Sequence, residues 1–146
     1  MNVFQDLDAC YKYFNRHLSA MFQKEGYSEI TFNSYQYIIA IYKLHNEGDL
    51  ATITEIANRL GIKKSSVAQM INTLLKGEYL KKKESSVDKR SFTLELSEKG
   101  YKMMKLEAVF SENFLKHFYY PLDEEEIKTF EETMGKIATN LLKGVV

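Results

Sequence analysis

Residues 52–74 read TITEIANRLGIKKSSVAQMINTL, and this stretch decides the fold. Thr52 with Glu55 three positions on is a capping-box pattern, so a helix is expected to start there. Ile53, Ile56, Ala57 and Leu60 fall on one face of that helix. Gly61 is expected to end it, because a residue without Cβ turns left-handed at no steric cost. A second helix follows, with Val67, Met70, Ile71 and Leu74 at helical spacing. Two short helices that cross steeply need a small residue where their backbones meet, and Ala57 meets that need. Ala57, Gly61 and Val67 together give the pattern of a helix-turn-helix. A DNA reader and a purely structural helical hairpin both satisfy it, since fold alone does not fix function.

The residues downstream separate the two readings. Tyr79–Lys83 (YLKKK) is β-prone and basic, ESSVDKR is a polar connection, and SFTLEL alternates Phe92, Leu94 and Leu96 with Thr93 and Glu95. Period two in SFTLEL, with a polar connection before it, predicts a hairpin with one buried face. From Arg59 to Arg90 nine Lys/Arg stand against three Asp/Glu, a net +6 within a chain of zero formal charge. The compensating acids are gathered elsewhere: Asp123–Glu132 (DEEEIKTFEE) has six acids and one Lys. Such segregation of sign favours oriented docking on a polyanion over uniform solvation. A helix for the major groove with cations on either side is what a duplex reader needs.

The run Asp88-Lys89-Arg90, then a strand, then Leu96-Ser97-Glu98-Lys99-Gly100 resembles the wing signature of the MarR family of winged-helix regulators. Asn33 and Gln36 likewise resemble the Thr-x-x-Gln that opens an apolar helix in that family. The resemblance spans essentially all 146 residues. Three departures stand out. Lys63 occupies the recognition-helix cap where the family often has Ser or Thr, Ala68-Gln69 replace Ser-Arg, and the closing glycine sits one place early at Gly77, with Glu78 in the turn. The resemblance implies that Arg90 contacts DNA, with Asp88 bracing the wing tip through an ion pair and Lys89 free to touch phosphate. It also implies a homodimer.

The rest of the chain fits one domain, residues 1–146, with a winged helix-turn-helix core at about 50–100. Apolar residues at 4, 7, 11, 14, 18 and 21 alternate at three and four, the spacing of a seam that packs along another helix. Asn33 is expected to cap a second helix, apolar nearly all round from Tyr35 to Leu44 and hence buried. Ala51–Ile53 is expected to add a short strand beside the wing. Ser97 caps a long helix to about Tyr119, Pro121 stops it, and Asp123 with Glu126 opens a last one. Ile127, Phe130, Met134, Ile137 and Leu141 repeat the seam spacing. Helices at about 2–24 and 98–143 are therefore read as one dimerisation layer. The fold class expected is mainly α with a small β-hairpin wing (α+β): a winged helix-turn-helix core between N- and C-terminal dimerisation helices.

On the recognition helix, Lys63, Lys64, Ser65, Ser66, Gln69 and Asn72 should face away from the core. Gln bonds an adenine edge at two points, Ser bonds several bases, and Lys reaches phosphate or guanine. His17, His45, His117 and Cys10 lack close metal-ligand spacing, and no phosphate loop or nucleophile elbow is present, so no metal, cofactor or enzyme activity is expected. The single Cys argues for a reducing cytoplasm, and no run approaches the ~18 apolar residues of a membrane span. Cys10 stands about as far ahead of the second helix as the peroxide-sensing Cys of one branch of the family, with Tyr35 and Tyr37 as phenols to stabilise its thiolate. The plain alternative is a small apolar Cys in a helix interface. Tyr35 and Tyr37 equally suit a pocket for a small aromatic or apolar effector. The reading is a cytoplasmic homodimeric regulator, a repressor on an inverted-repeat operator in double-stranded DNA, released by a small molecule or an oxidant. The rival is a winged-helix module that contacts proteins only, which an uncharged recognition face would favour.

Overall fold

The computed structural model describes residues 2–84 and 91–143. Helices α1 (Val3–Lys24), α2 (Phe32–Asn46), α3 (Ile53–Leu60) and α4 (Lys64–Lys76) precede strands β1 (Leu80–Glu84) and β2 (Phe92–Leu96), and α5 (Glu98–Phe118) and α6 (Glu124–Leu142) follow. The strands form one antiparallel pair in which Leu80 faces Leu96 and Lys82 faces Leu94. This is the expected class, a mainly helical chain with a two-stranded wing. The chain divides into two compact units, Met1–Phe110 and Ser111–Val146.

In the first unit α2 is the buried centre. Ile38 and Ile41 are fully buried, with Tyr35, Tyr37, Ala40 and Leu44 nearly so. Its start corrects the sequence expectation. Asn33 lies inside the helix, and Thr31 is the cap, its hydroxyl accepting from the Ser34 backbone while the Ser34 hydroxyl accepts from the Thr31 N–H. A serine thus performs the return half of the box normally given to Glu or Gln. At α3 only the forward half forms, Glu55 N–H to the Thr52 hydroxyl at 3.1 Å.

The seam of α1 divides along its length. Leu18 is buried and Met21 half-buried, with Phe22 buried beside the seam, and Phe14 packs edge-on against Phe32 and Phe110 at 5.3 and 5.4 Å. Phe4, Leu7 and Tyr11 remain exposed. The expected strand at Ala51–Ile53 is absent. One bond, Leu94 N–H to the Ala51 carbonyl at 2.9 Å, joins that segment to the wing. The Thr52 N–H is taken by the Leu50 carbonyl and Ile53 already opens α3, so the pairing does not extend into a ladder.

The second unit carries the end of α5, a turn at Tyr119–Leu122 and α6. Asp123 and Glu126 form the expected reciprocal cap of α6. Phe114, Phe118, Tyr119 and Phe130 form an aromatic cluster. Along α6, Met134, Ile137 and Leu141 are exposed.

The passage from α4 into β1 is unusual. Gly77 ends α4 with helical dihedrals, and Glu78 takes the left-handed conformation at φ 65°. Gly77 answers a packing demand: a Cβ there would stand 2.9 Å from the Tyr79 ring. At Gly100 in α5 a Cβ would stand 2.4 Å from the Tyr79 carbonyl oxygen. Both glycines exist to admit Tyr79, whose side chain is essentially buried. Gly100→Ala is expected to cost about 2–3 kcal/mol through overpacking, whereas Glu78→Gly should gain about 1 kcal/mol by removing left-handed strain. Urea midpoints at unchanged slope measure both; a stabilised Gly100→Ala or a destabilised Glu78→Gly contradicts the account of this turn.

Candidate nucleic-acid interface

Helix α3 ends at Gly61, left-handed at φ 65° and ψ 36°, and the Ile62 N–H caps back to the Ala57 carbonyl at 3.1 Å. Helix α3 packs against α4, with Ala57 buried on α3 and Val67, Ile71 and Leu74 buried on α4. Their periodicity turns the opposite side outward. Lys64, Ser65, Ser66, Gln69, Asn72 and Thr73 are all exposed on α4, and Lys63 is exposed at its N-cap. Lys63 makes no side-chain capping bond, so no side chain of its own cap covers the amides that open α4. Those amides carry the positive end of the helix dipole, beside two lysines and two hydroxyls.

The basic segment is less uniform than its sequence. The Arg59 guanidinium is engaged by Glu47 through both terminal nitrogens, one bond being 3.0 Å. That bond holds the Glu47 carboxyl below the usual carboxylate range. Arg59 therefore ties α3 to the end of α2 instead of offering a free charge. On β1, Lys82 lies over the Phe92 ring at 4.5 Å and Lys83 is 3.8 Å from Glu95. Lys81, Lys82 and Lys83 are all exposed, which adds a strand of cations to those of α4. The site residues inferred from sequence did not include them, although the run KKK was the available signal. Asp88, Lys89 and Arg90 lie outside the described residues.

Tyr79 anchors the far end of α4. Its hydroxyl donates to the Glu29 carboxylate, from the connector between α1 and α2. Lys99, in the first turn of α5, donates to the Gly77 carbonyl at 2.8 Å and to Glu29 at 3.4 Å, with its ammonium 4.2 Å from the Tyr79 ring centre. The Tyr79 bond, helped by Lys99, holds Glu29 below the usual carboxylate range, and burial pushes the phenol up. Sequence reasoning missed this cluster, since fifty residues separate Glu29 from Tyr79.

The other candidates lie on α1 and α2. Cys10 is a free, exposed thiol on α1. Tyr35 and Tyr37 are buried on α2, and the Tyr35 hydroxyl donates to Glu107 at 3.0 Å. Burial and that carboxylate push the Tyr35 phenol well up. Glu107 also lines an open groove of about 260 Å³ with Tyr42, Tyr101, Met104 and Lys105. Among the described residues no helix is long and apolar enough to cross a membrane.

Known proteins share this fold. The reduced form of MarR from E. coli superposes with a TM-score of 0.75 at 14% identity, over 94% of this chain and 96% of that one. FabT of Streptococcus pneumoniae, solved in complex with DNA, gives 0.76 at 16% identity over 95% and 94%. The fold is that of MarR. A family model described as the N-terminal DNA-binding domain of iron-dependent repressors matches residues 29–87, which hold α2, α3, α4 and β1 of this MarR-type fold. An uncharacterised HTH-type transcriptional regulator of Bacillus subtilis (strain 168), YhbI, is 26% identical over 109 residues, covering 75% of this chain and 69% of its own.

Proposed function

We propose that this chain is a DNA-binding transcriptional regulator of the MarR family, acting in the cytoplasm as a homodimeric repressor on an inverted-repeat operator. One observation carries the reading: α4 buries Val67, Ile71 and Leu74 and exposes Lys64, Ser65, Ser66, Gln69 and Asn72. Its uncapped N-terminus and Lys63 suit a phosphate, Gln69 and Asn72 suit base edges, and the wing cations suit the flanking backbone. Arg90 and Lys89 join them, with Asp88 bracing the tip, on the strength of the family resemblance. The regulators among the similar proteins support this function, and the charged recognition face disfavours a module that contacts proteins only. The dimer reading rests on exposed apolar stripes that one chain leaves uncovered: Phe4, Leu7 and Tyr11 on α1, and Met134, Ile137 and Leu141 on α6.

Selection of bound duplexes from a random pool is expected to return an inverted repeat with half-sites roughly 10 bp apart or a multiple of one turn. On that sequence Lys64→Ala should weaken all duplexes alike and lower the salt slope by about one, whereas Gln69→Ala should cost about 1–3 kcal/mol on the selected site alone. A single asymmetric site, or a Gln69→Ala loss equal on every duplex, contradicts the assignment.

The release signal is read as a small aromatic or apolar molecule, with Cys10 a bystander. Tyr35, a phenol proposed to stabilise a Cys10 thiolate, is committed to Glu107. The aromatic groove that Glu107 shares with Tyr42 and Tyr101 suits such an effector. Organic hydroperoxide added to operator complexes of wild type and Cys10→Ser should act equally on both. Selective release of the wild type establishes an oxidant sensor instead.

A further inference from the structure

We propose that Glu29 is a positioning residue for DNA reading: through Tyr79 and Lys99 it sets the angle at which α4 is presented. The inference rests on the regulator reading above and extends it to a residue far from the recognition face.

The geometry converges on three consecutive residues. Lys99 bonds the Gly77 carbonyl at 2.8 Å, the Ser97 hydroxyl donates to the Glu78 carbonyl, and the Ser97 N–H donates to the Tyr79 carbonyl at 3.0 Å. Those three residues are the exit of α4, and the middle one is left-handed without being glycine. A backbone held away from its preferred region persists only where its surroundings over-determine it. Here the surroundings are a clasp of side chains from α5 and from the α1–α2 connector. Glu29 links them, accepting from both Tyr79 and Lys99.

The clasp is not what holds the fold together. The Glu29 side chain is 49% exposed and that of Lys99 37%, and an ion pair so wet contributes little stability. Beneath it the apolar core of Leu74, Tyr79 and Leu80 is already closed. What the clasp fixes is direction. The 13 residues of α4 make a lever about 20 Å long, so a tilt of about 5° at Gly77 moves the first turn by roughly 1.5 Å. Hydrogen bonds to base edges do not survive such a displacement, whereas long lysines follow phosphates across it. Loosening Glu29 should therefore remove selectivity and leave non-specific attraction in place.

The test compares wild type, Glu29→Gln, Glu29→Ala, Tyr79→Phe and the Glu29→Ala/Tyr79→Phe double variant, each on the selected operator and on a scrambled duplex across a salt series. Glu29→Ala and Tyr79→Phe should each weaken operator binding about tenfold, the value of roughly one base contact. The double variant should be no worse than either single one, because both cut the same link. Glu29→Gln keeps an acceptor for Tyr79 and should restore most of the loss. Binding to scrambled duplex and the salt slope should not change. Operator affinity within twofold of wild type, an equal loss on both duplexes, or additive losses overturns the proposal. If wild type prefers no duplex, the regulator reading has failed, and the clasp is judged by the amide NMR spectrum. Glu29→Ala must then shift resonances along Lys64–Lys76 while those of α6 stay fixed; an unmoved α4 overturns the clasp.

Discussion

Burial of Val67, Ile71 and Leu74 against α2 and α3 is the constraint on which the site depends. A helix that sinks one stripe at a spacing of three and four residues has no freedom left in what it shows. Lys64, Ser65, Ser66, Gln69 and Asn72 are outward because those three aliphatics are inward. The neighbouring helix α3 reaches that packing across a tight turn, made by Gly61 in the left-handed region, and itself buries Ile56 and Ala57. What α4 shows is set by what it buries. The polar face carries no fold-determining role, so it is free to carry chemistry.

A second set of constraints acts on the same helix from its other end. Tyr79 is admitted by two glycines, roofed by Lys99 and tethered by Glu29, so α4 leaves its core contacts along one path. Arg59 does comparable work for α3 by pairing with Glu47. Charged groups inside a basic segment thus divide into two kinds. Some are consumed in aligning the two helices, and others, such as Lys63, Lys64 and Lys81, stand in solvent. Net charge counts both alike, and only the geometry separates them.

The local part of this architecture was legible in the sequence. Thr52, Gly61, the α4 stripe, the alternating β2 residues and the Asp123–Glu126 box each act within a few positions of themselves, where spacing suffices. The start of α2 lies ahead of the expected cap at Asn33 because Thr31 is answered by Ser34, whose hydroxyl does the work that a Glu or Gln ordinarily signals. The strand expected at Ala51–Ile53 stops at one backbone bond to Leu94, because Thr52 bonds Leu50 and serves as the cap of α3. Glu78 was recognised as lying in the turn, but its left-handed backbone was not, since Gly77 beside it was the obvious candidate. The Glu29–Tyr79–Lys99 cluster left no trace in spacing or composition. Contacts between residues fifty and seventy positions apart exist only after the chain has folded.

The outward side of α4, with the exposed cations of β1, is the surface proposed to meet DNA. Amide chemical-shift mapping during titration with a selected operator duplex tests it most directly. Perturbations should concentrate at Lys63–Thr73 and at Lys81–Lys83, with α6 nearly silent. A response centred on α6 or on the groove at Tyr42 and Tyr101, with α4 unchanged, would contradict it.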